Sequence, residues 1–161
     1  MDIVTVLRTL LSEFLDGPAP EAAWMLNPKD PGLLASLDKL SAKEASTIQP
    51  DGSASVAAHV DHLRYGLGLM NRWAQGEKDP FSGANWGSSW ERSTVSDEQW
   101  TALREEFRKT AYAWREAMKK VHDLNDFELT GMVASVAHLG YHMGAMRQIH
   151  RSLRGPSAQQ P

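Results

Sequence analysis

Residues 96–121 read SDEQWTALREEFRKTAYAWREAMKKV and carry the clearest folding signal of the 161-residue chain. Ser96 is followed three residues later by Gln99, which is the capping-box pattern that opens a helix. Apolar residues then recur at alternating steps of three and four, which predicts one buried face over about three heptads. The predicted buried positions are Trp100, Leu103, Phe107, Thr110, Trp114, Ala117 and Val121.

Three other segments show the helical period, and no segment shows a convincing strand pattern. We expect a first long helix over residues 2–15, a second that begins at Ser53 or Ser55, and a fourth over residues 127–153. The first and second helices are joined by a long connection that contains a short amphipathic helix with Pro31 as its first residue. The sequence therefore predicts an all-α fold, a four-helix bundle with a long first connection.

The composition fits one globular domain, with 42% apolar residues. We place that domain at residues 1–155 and expect the polar tail, residues 156–161, to be disordered. The net charge is -3 and no Lys/Arg run occurs, so we expect no nucleic-acid partner. No apolar stretch approaches the roughly 18 to 20 residues that span a bilayer, and the first residues lack a basic leader. We therefore expect a cytoplasmic protein that does not enter a membrane.

The fourth predicted helix carries His138-Leu139-Gly140-Tyr141-His142, in which two histidines lie one helical turn apart on one side. Two such imidazoles can bind one metal ion, and a third from another helix would leave a coordination position open. The second helix offers His59 and His62, which lie on one side of it. The alternative interpretation is that these are surface histidines or hydrogen-bonded core histidines.

Other features of the sequence exclude one class of enzyme and limit the residues that could bind a metal. Leu139 stands where a zinc protease would have its glutamate, so that class is excluded. We interpret His122 and His150 as surface residues, and Tyr141 as a packing residue rather than a functional one. The chain has no cysteine, so any transition-metal site must use imidazole or carboxylate ligands. The Gly/Ser-rich loop between the second and third helices contains Trp86 and Trp90. We expect these tryptophans to pack on the bundle or cover a pocket.

The chain resembles the DinB/YfiT-like family of small helical bundles in two motifs. Residues 55–63, SVAAHVDHL, are similar to the second-helix motif of the family, and residues 137–144, AHLGYHMG, to its fourth-helix motif. The resemblance implies that His62, His138 and His142 bind a divalent transition metal, with zinc or nickel as the leading candidates. His59 would be a fourth ligand, a residue that orients a ligand, or a proton acceptor.

The resemblance also implies a function. Relatives include transferases and isomerases that use a low-molecular-weight thiol, so we expect a small-molecule substrate and a metal-dependent thiol transferase or related enzyme. One alternative is a non-catalytic metal-binding or stress-associated module in which the ion is structural. Another is that no metal binds and the helices serve dimerisation, with the Trp-rich third helix as an interface. The resemblance implies a homodimer in any case.

Overall fold

The computed structural model describes residues 2–50, 52, 54–121 and 123–157, and this part of the chain is helical with no named strand. It confirms the all-α class and the four long helices. Short 3-10 turns follow the third and fourth long helices, and another lies in the loop before the third. The α-helices are α1 (Ile3–Asp16), α2 (Gly32–Leu37), α3 (Ala42–Ala45), α4 (Val56–Ala74), α5 (Asp97–Ala117) and α6 (Asp126–Ile149).

The long helices begin where polar caps precede the apolar pattern. At α5 the predicted capping box is present, with the Ser96 hydroxyl accepting from Gln99 N and the Gln99 side chain accepting from Ser96 N. A second capping box opens α6 at Asn125. Ser55 caps α4 by accepting from Ala58 N, whereas Ser53 lies outside the described residues.

The four long helices enclose one apolar core. Helix α4 packs against both α5 and α6, and α1 packs against α6 and α5. On α5 the buried face includes Trp100 and Trp114, which are 2% and 0% exposed. Their indole N–H groups donate to Leu40 O and to Ser135 Oγ. Both tryptophans are therefore covered by their own chain, and the expectation that this helix supplies a dimer interface stays a prediction.

The buried face of α5 differs from the prediction at two positions. The structure buries Ala111 and Met118 where the strict alternation placed Thr110 and Ala117. A straight α-helix has 3.6 residues per turn, so a strict seven-residue repeat drifts away from the core by about 20° per heptad. Two successive four-residue steps, from Leu103 to Phe107 and from Phe107 to Ala111, keep the apolar face of α5 turned toward the core.

The connection and the helix ends also differ from the predictions in detail. The connection contains two short helices rather than one, since Ser41 forms a capping box that opens α3. Pro31 occupies the N-cap position of α2, without a capping hydrogen bond from its side chain, instead of being the first residue of the helix. Helix α6 ends at Ile149 because His150 is extended, with φ -132° and ψ 122°, and the chain continues as a 3-10 turn to Leu153. Among the described helices, none has the length and apolar character needed to cross a membrane.

Gly140 lets α6 approach α1 closely. A Cβ atom built on Gly140 would lie 2.7 Å from Cζ of Phe14, a core residue of α1. The same construction on Gly144, one turn further along α6, meets nothing within 4 Å. The close approach lies between His138 and His142 in the sequence, so the packing of α1 fixes the part of α6 that carries both side chains.

We predict that Gly140→Ala lowers the free energy of unfolding by about 1–3 kcal/mol relative to Gly144→Ala, because only the first methyl group overpacks the core. Gly144→Ala should leave stability unchanged or raise it by about 0.5–1 kcal/mol through helix propensity. Urea unfolding followed by circular dichroism measures both. In a Phe14→Leu background the difference should shrink; an undiminished difference would contradict the packing explanation.

Candidate metal centre

Three histidines from two helices converge at the centre of the site. His62 comes from α4, and His138 and His142 come from α6. The Nε2 atom of His138 lies 3.2 Å from Nε2 of His62 and 2.8 Å from Nε2 of His142. One ligand atom from each residue lies within 4.8 Å of the other two, which is a grouping that could hold a metal ion. The predicted residues are thus brought together in space, while their binding of an ion remains a prediction.

The hydrogen bonds of Ser89 determine which nitrogen of His62 is free. The Ser89 hydroxyl lies 2.7 Å from Trp86 O and 2.8 Å from His62 Nδ1. A carbonyl oxygen only accepts, so the single hydroxyl hydrogen goes to Trp86 O and His62 Nδ1–H must donate to Ser89 Oγ. A neutral imidazole with its hydrogen on Nδ1 has an unprotonated Nε2. The Nε2 atom of His62 therefore presents a lone pair toward His138 and His142.

His59 contacts the other ring nitrogen of His142. The Nδ1 atoms of the two rings lie 2.9 Å apart, on the opposite edge of the His142 ring from Nε2. When His142 Nδ1–H donates to His59, the Nε2 atom of His142 is left as an acceptor. Of the three roles expected for His59, this geometry favours a residue that orients a ligand from behind, and it places His59 outside the three-histidine group.

Burial keeps these imidazoles neutral. Burial, followed by the nearby His138 and His59, lowers the pKa of His62 to about 4. Burial and the same kind of neighbours lower the pKa of His142 to about 3, and burial alone lowers the pKa of His59 and of His138. At neutral pH each ring is thus the uncharged form that binds metals.

The loop before α5 is attached along α4 and covers the site. Ser55 Oγ donates to Ser93 O at 2.6 Å, and Asn85 N donates to the Tyr65 hydroxyl at 2.9 Å. Asp61, which is buried, pairs with Arg92 of the loop at 3.5 Å and with Arg64 at 2.7 Å. These contacts hold the loop in register with the helix face that carries His59 and His62.

Two loop tryptophans surround the histidines, as predicted for this loop. The Trp90 ring stacks on His62, with centroids 4.1 Å apart and planes 22° from parallel, and it meets His59 edge-on at 5.2 Å. Trp86 lies 5.7 Å from His62. The apolar Trp90 ring excludes water from one side of the site, and Trp86 borders the other side.

The other side of the site opens onto a cavity of about 640 Å³, whose lining includes His62 and His138. Tyr141 lies at its rim, is 72% exposed, and meets the His142 ring edge-on at 5.0 Å. Tyr141 therefore packs against His142 at the surface and not in the core, and its expected lack of a functional role stays a prediction. The ring is exposed because α6 turns this face away from the other helices, so the ring covers the cavity and not the core.

The donor set fits a first-row transition metal. Zinc bound by imidazole nitrogens at about 2.0–2.1 Å in a tetrahedron separates those nitrogens by roughly 3.3 Å. The two Nε2 separations observed, 3.2 and 2.8 Å, lie within about half an ångström of that value. Neutral imidazoles suit zinc, nickel, copper and iron, and they discriminate against magnesium and calcium.

The remaining histidines lie elsewhere or outside the described residues. His150 is half-buried at the end of α6, 3.8 Å from a Glu44 oxygen, and takes no part in the group. His122 lies outside the described residues, so its interpretation as a surface residue stays a prediction.

Ser89 is the residue of the site that the sequence did not single out. It lies in a loop with several serines, and its position 27 residues after His62 follows no helical spacing. Only the folding of the loop onto α4 selects it over Ser88, whose hydroxyl donates to Asn85 O at 2.9 Å.

The fold and the site together define an all-α bundle with a three-histidine group between two of its long helices. A family model described as the DinB superfamily matches residues 32–146, from α2 to the last turn of α6, and the chain belongs to that superfamily. No curated protein and no solved structure matches the chain.

We predict that the purified protein binds about one zinc or nickel ion per chain. His138→Ala should abolish this binding, because it removes the Nε2 atom that lies within 3.2 Å of Nε2 in both His62 and His142. Elemental analysis after reconstitution and desalting measures the ratio. His150→Ala is the matched control and should retain the ion. Wild-type protein without metal after reconstitution with both ions would exclude the site.

We predict that Ser89→Ala weakens metal affinity by about 10- to 100-fold, because His62 Nδ1–H loses its acceptor and the ring loses its fixed orientation. Competition with a chromogenic chelator measures the dissociation constant. Ser88→Ala, which removes a hydroxyl from the same turn without touching His62, should leave it unchanged. Equal affinities for the two variants would show that Ser89 does not orient His62.

Proposed function

We propose that this protein is a metal-dependent transferase that joins a low-molecular-weight thiol to a small-molecule electrophile. The metal would be zinc or nickel, held by His62, His138 and His142. One observation carries the proposal: the Nε2 atoms of His62 and His142 both lie against Nε2 of His138 beside an open cavity. The Nδ1 atoms of His62 and His142 have hydrogen-bond partners of their own, Ser89 and His59.

The metal, when bound, would lower the pKa of a coordinated thiol or water and so supply a nucleophile at neutral pH. In the transfer, the thiol sulfur forms a bond to the electrophilic carbon, the leaving group departs with its bonding electron pair, and the thiol proton passes to solvent. The chain has no cysteine, so the sulfur must come from a separate molecule.

The protein's own residues prepare the site. Ser89 and His59 hydrogen-bond the Nδ1 atoms of His62 and His142, which holds these two rings in a fixed orientation. Trp90 covers His62 and excludes water from that side. The cavity on the other side leaves room for a substrate beside His62 and His138.

The alternative function, a structural ion in a non-catalytic module, requires a closed coordination sphere. His59 is the residue that would close it, and its Nδ1 is engaged behind His142. This geometry favours the catalytic proposal. The homodimer and the cytoplasmic location remain predictions that either function would accommodate.

We predict metal-dependent consumption of thiol when the zinc- or nickel-loaded protein is given a model electrophile, such as monochlorobimane, and several biological thiols in turn. The rate above background should disappear for the metal-free protein and for His138→Ala, and persist for His150→Ala. Loaded protein that binds its ion stoichiometrically but turns over none of the thiols would support the structural-ion alternative instead.

A further inference from the structure

The cavity beside the three histidines is lined mainly by apolar groups, and its polar edge consists of His62, His138 and the Tyr141 phenol. Its walls come from α4, α6 and the covering loop, and they include Leu67, Met70, Phe81, Trp86, Ala134 and Ala137. None of the described lining residues carries a charged side chain. The hydroxyl of Ser135, which also lines it, is already used, since it donates to Met132 O at 2.7 Å and accepts from Trp114 Nε1 at 3.1 Å.

This distribution of polarity limits what the cavity can bind. A charged group placed against such a lining loses part of its hydration and finds no charged partner, which is unfavourable. An apolar group gains roughly 0.8 kcal/mol per buried methylene, or about fourfold in affinity. The volume of about 640 Å³ falls within the range of small-molecule sites.

We propose that the cavity is the subsite for an uncharged, apolar organic group of the substrate, whose polar reacting end faces His62 and His138. This inference rests on the proposed function, because it takes the three-histidine group as the reaction centre. It assigns the cavity to the electrophile and not to the thiol, since a low-molecular-weight biological thiol that carries charged or hydroxyl groups would find few polar partners there. The thiol would then approach from outside the cavity.

Gly131 of α6 gives the proposal a direct test. It lines the cavity, and a Cβ atom built on it meets nothing within 4 Å, so a larger side chain can enter the empty space without a clash. Gly68 of α4 is equally open and belongs to none of the cavities described for this part of the chain. Gly131→Leu and Gly68→Leu are therefore a matched pair, one filling the cavity and one not.

The first probe is N-phenyl-1-naphthylamine, an uncharged apolar dye whose fluorescence rises in an apolar site. We expect it to bind the wild type and Gly68→Leu alike, and to bind Gly131→Leu roughly tenfold or more weakly, as when two or more methylenes lose their contacts. Ala134→Leu, which narrows the same cavity from another position, is the second variant if Gly131→Leu fails to fold. Equal binding by wild type and the cavity variants would overturn the assignment of the cavity.

The second probe is a series of n-alkyl hydroxamates, from acetohydroxamate to octanohydroxamate, which place a metal-binding head on an apolar tail. With zinc-loaded protein we expect displacement of the dye and a gain of about fourfold per methylene. The series should flatten in Gly131→Leu. A hydroxamate of equal length with a terminal carboxylate should bind more weakly; equal or tighter binding of it would overturn the claim of an uncharged subsite.

The two probes separate this inference from the proposed function. If the protein binds no metal, the proposed function fails, and the dye still reports whether the cavity takes apolar groups. If metal binds and turns over thiol but the dye and the hydroxamate tails show no preference for the cavity, the subsite fails alone.

Discussion

The hydrogen bond from His62 Nδ1 to Ser89 is the interaction on which the site depends. Ser89 can accept this proton because its own hydrogen is committed to Trp86 O. The loop therefore fixes the tautomer of a helix side chain, and the helix in turn fixes the loop through Asp61 and Ser55. His59 lies behind His142, with the two Nδ1 atoms 2.9 Å apart. The result is a set of neutral imidazoles, two of them buried, whose Nε2 atoms face one another, an arrangement that a cation in the space between them would stabilise.

The bundle supplies the rigidity that such a site needs. The two histidine-bearing faces belong to α4 and α6, which pack directly against each other, and Gly140 brings α6 against Phe14 of α1. Side chains on packed helices are held more tightly than side chains on loops, so the spacing of the three rings is a property of the core. The covering loop completes the site with Trp86 and Trp90, leaving the cavity as the side open to a ligand.

Local rules in the sequence were sufficient to predict the four long helices. The capping box at Ser96 and the apolar steps of three and four located α5, and the four-residue spacing of His138 and His142 placed both on one side of α6. Where the predictions were wrong, the cause was geometric. The heptad rule placed Thr110 in the core because it ignores the drift of a straight helix, and α3 is too short to show a period.

The covering loop could not be predicted in this way, because its position depends on contacts between residues far apart in the chain. Ser89 acquires its role from His62, 27 residues earlier, and Tyr141 is exposed because nothing packs over that face of α6 in the described chain. The position of His59 on α4 made it a candidate site residue with three possible roles. The contact of its ring with His142 Nδ1, which depends on the packing of α4 against α6, favours one of those roles.

The most direct test of the central claim is X-ray absorption spectroscopy at the metal edge of the zinc- or nickel-loaded protein. We expect three imidazole nitrogens at about 2.0–2.1 Å from the metal, together with oxygen donors from water, which is the coordination of an open site. A fourth imidazole, supplied by His59, or an ion bound without imidazole ligands, would contradict the claim.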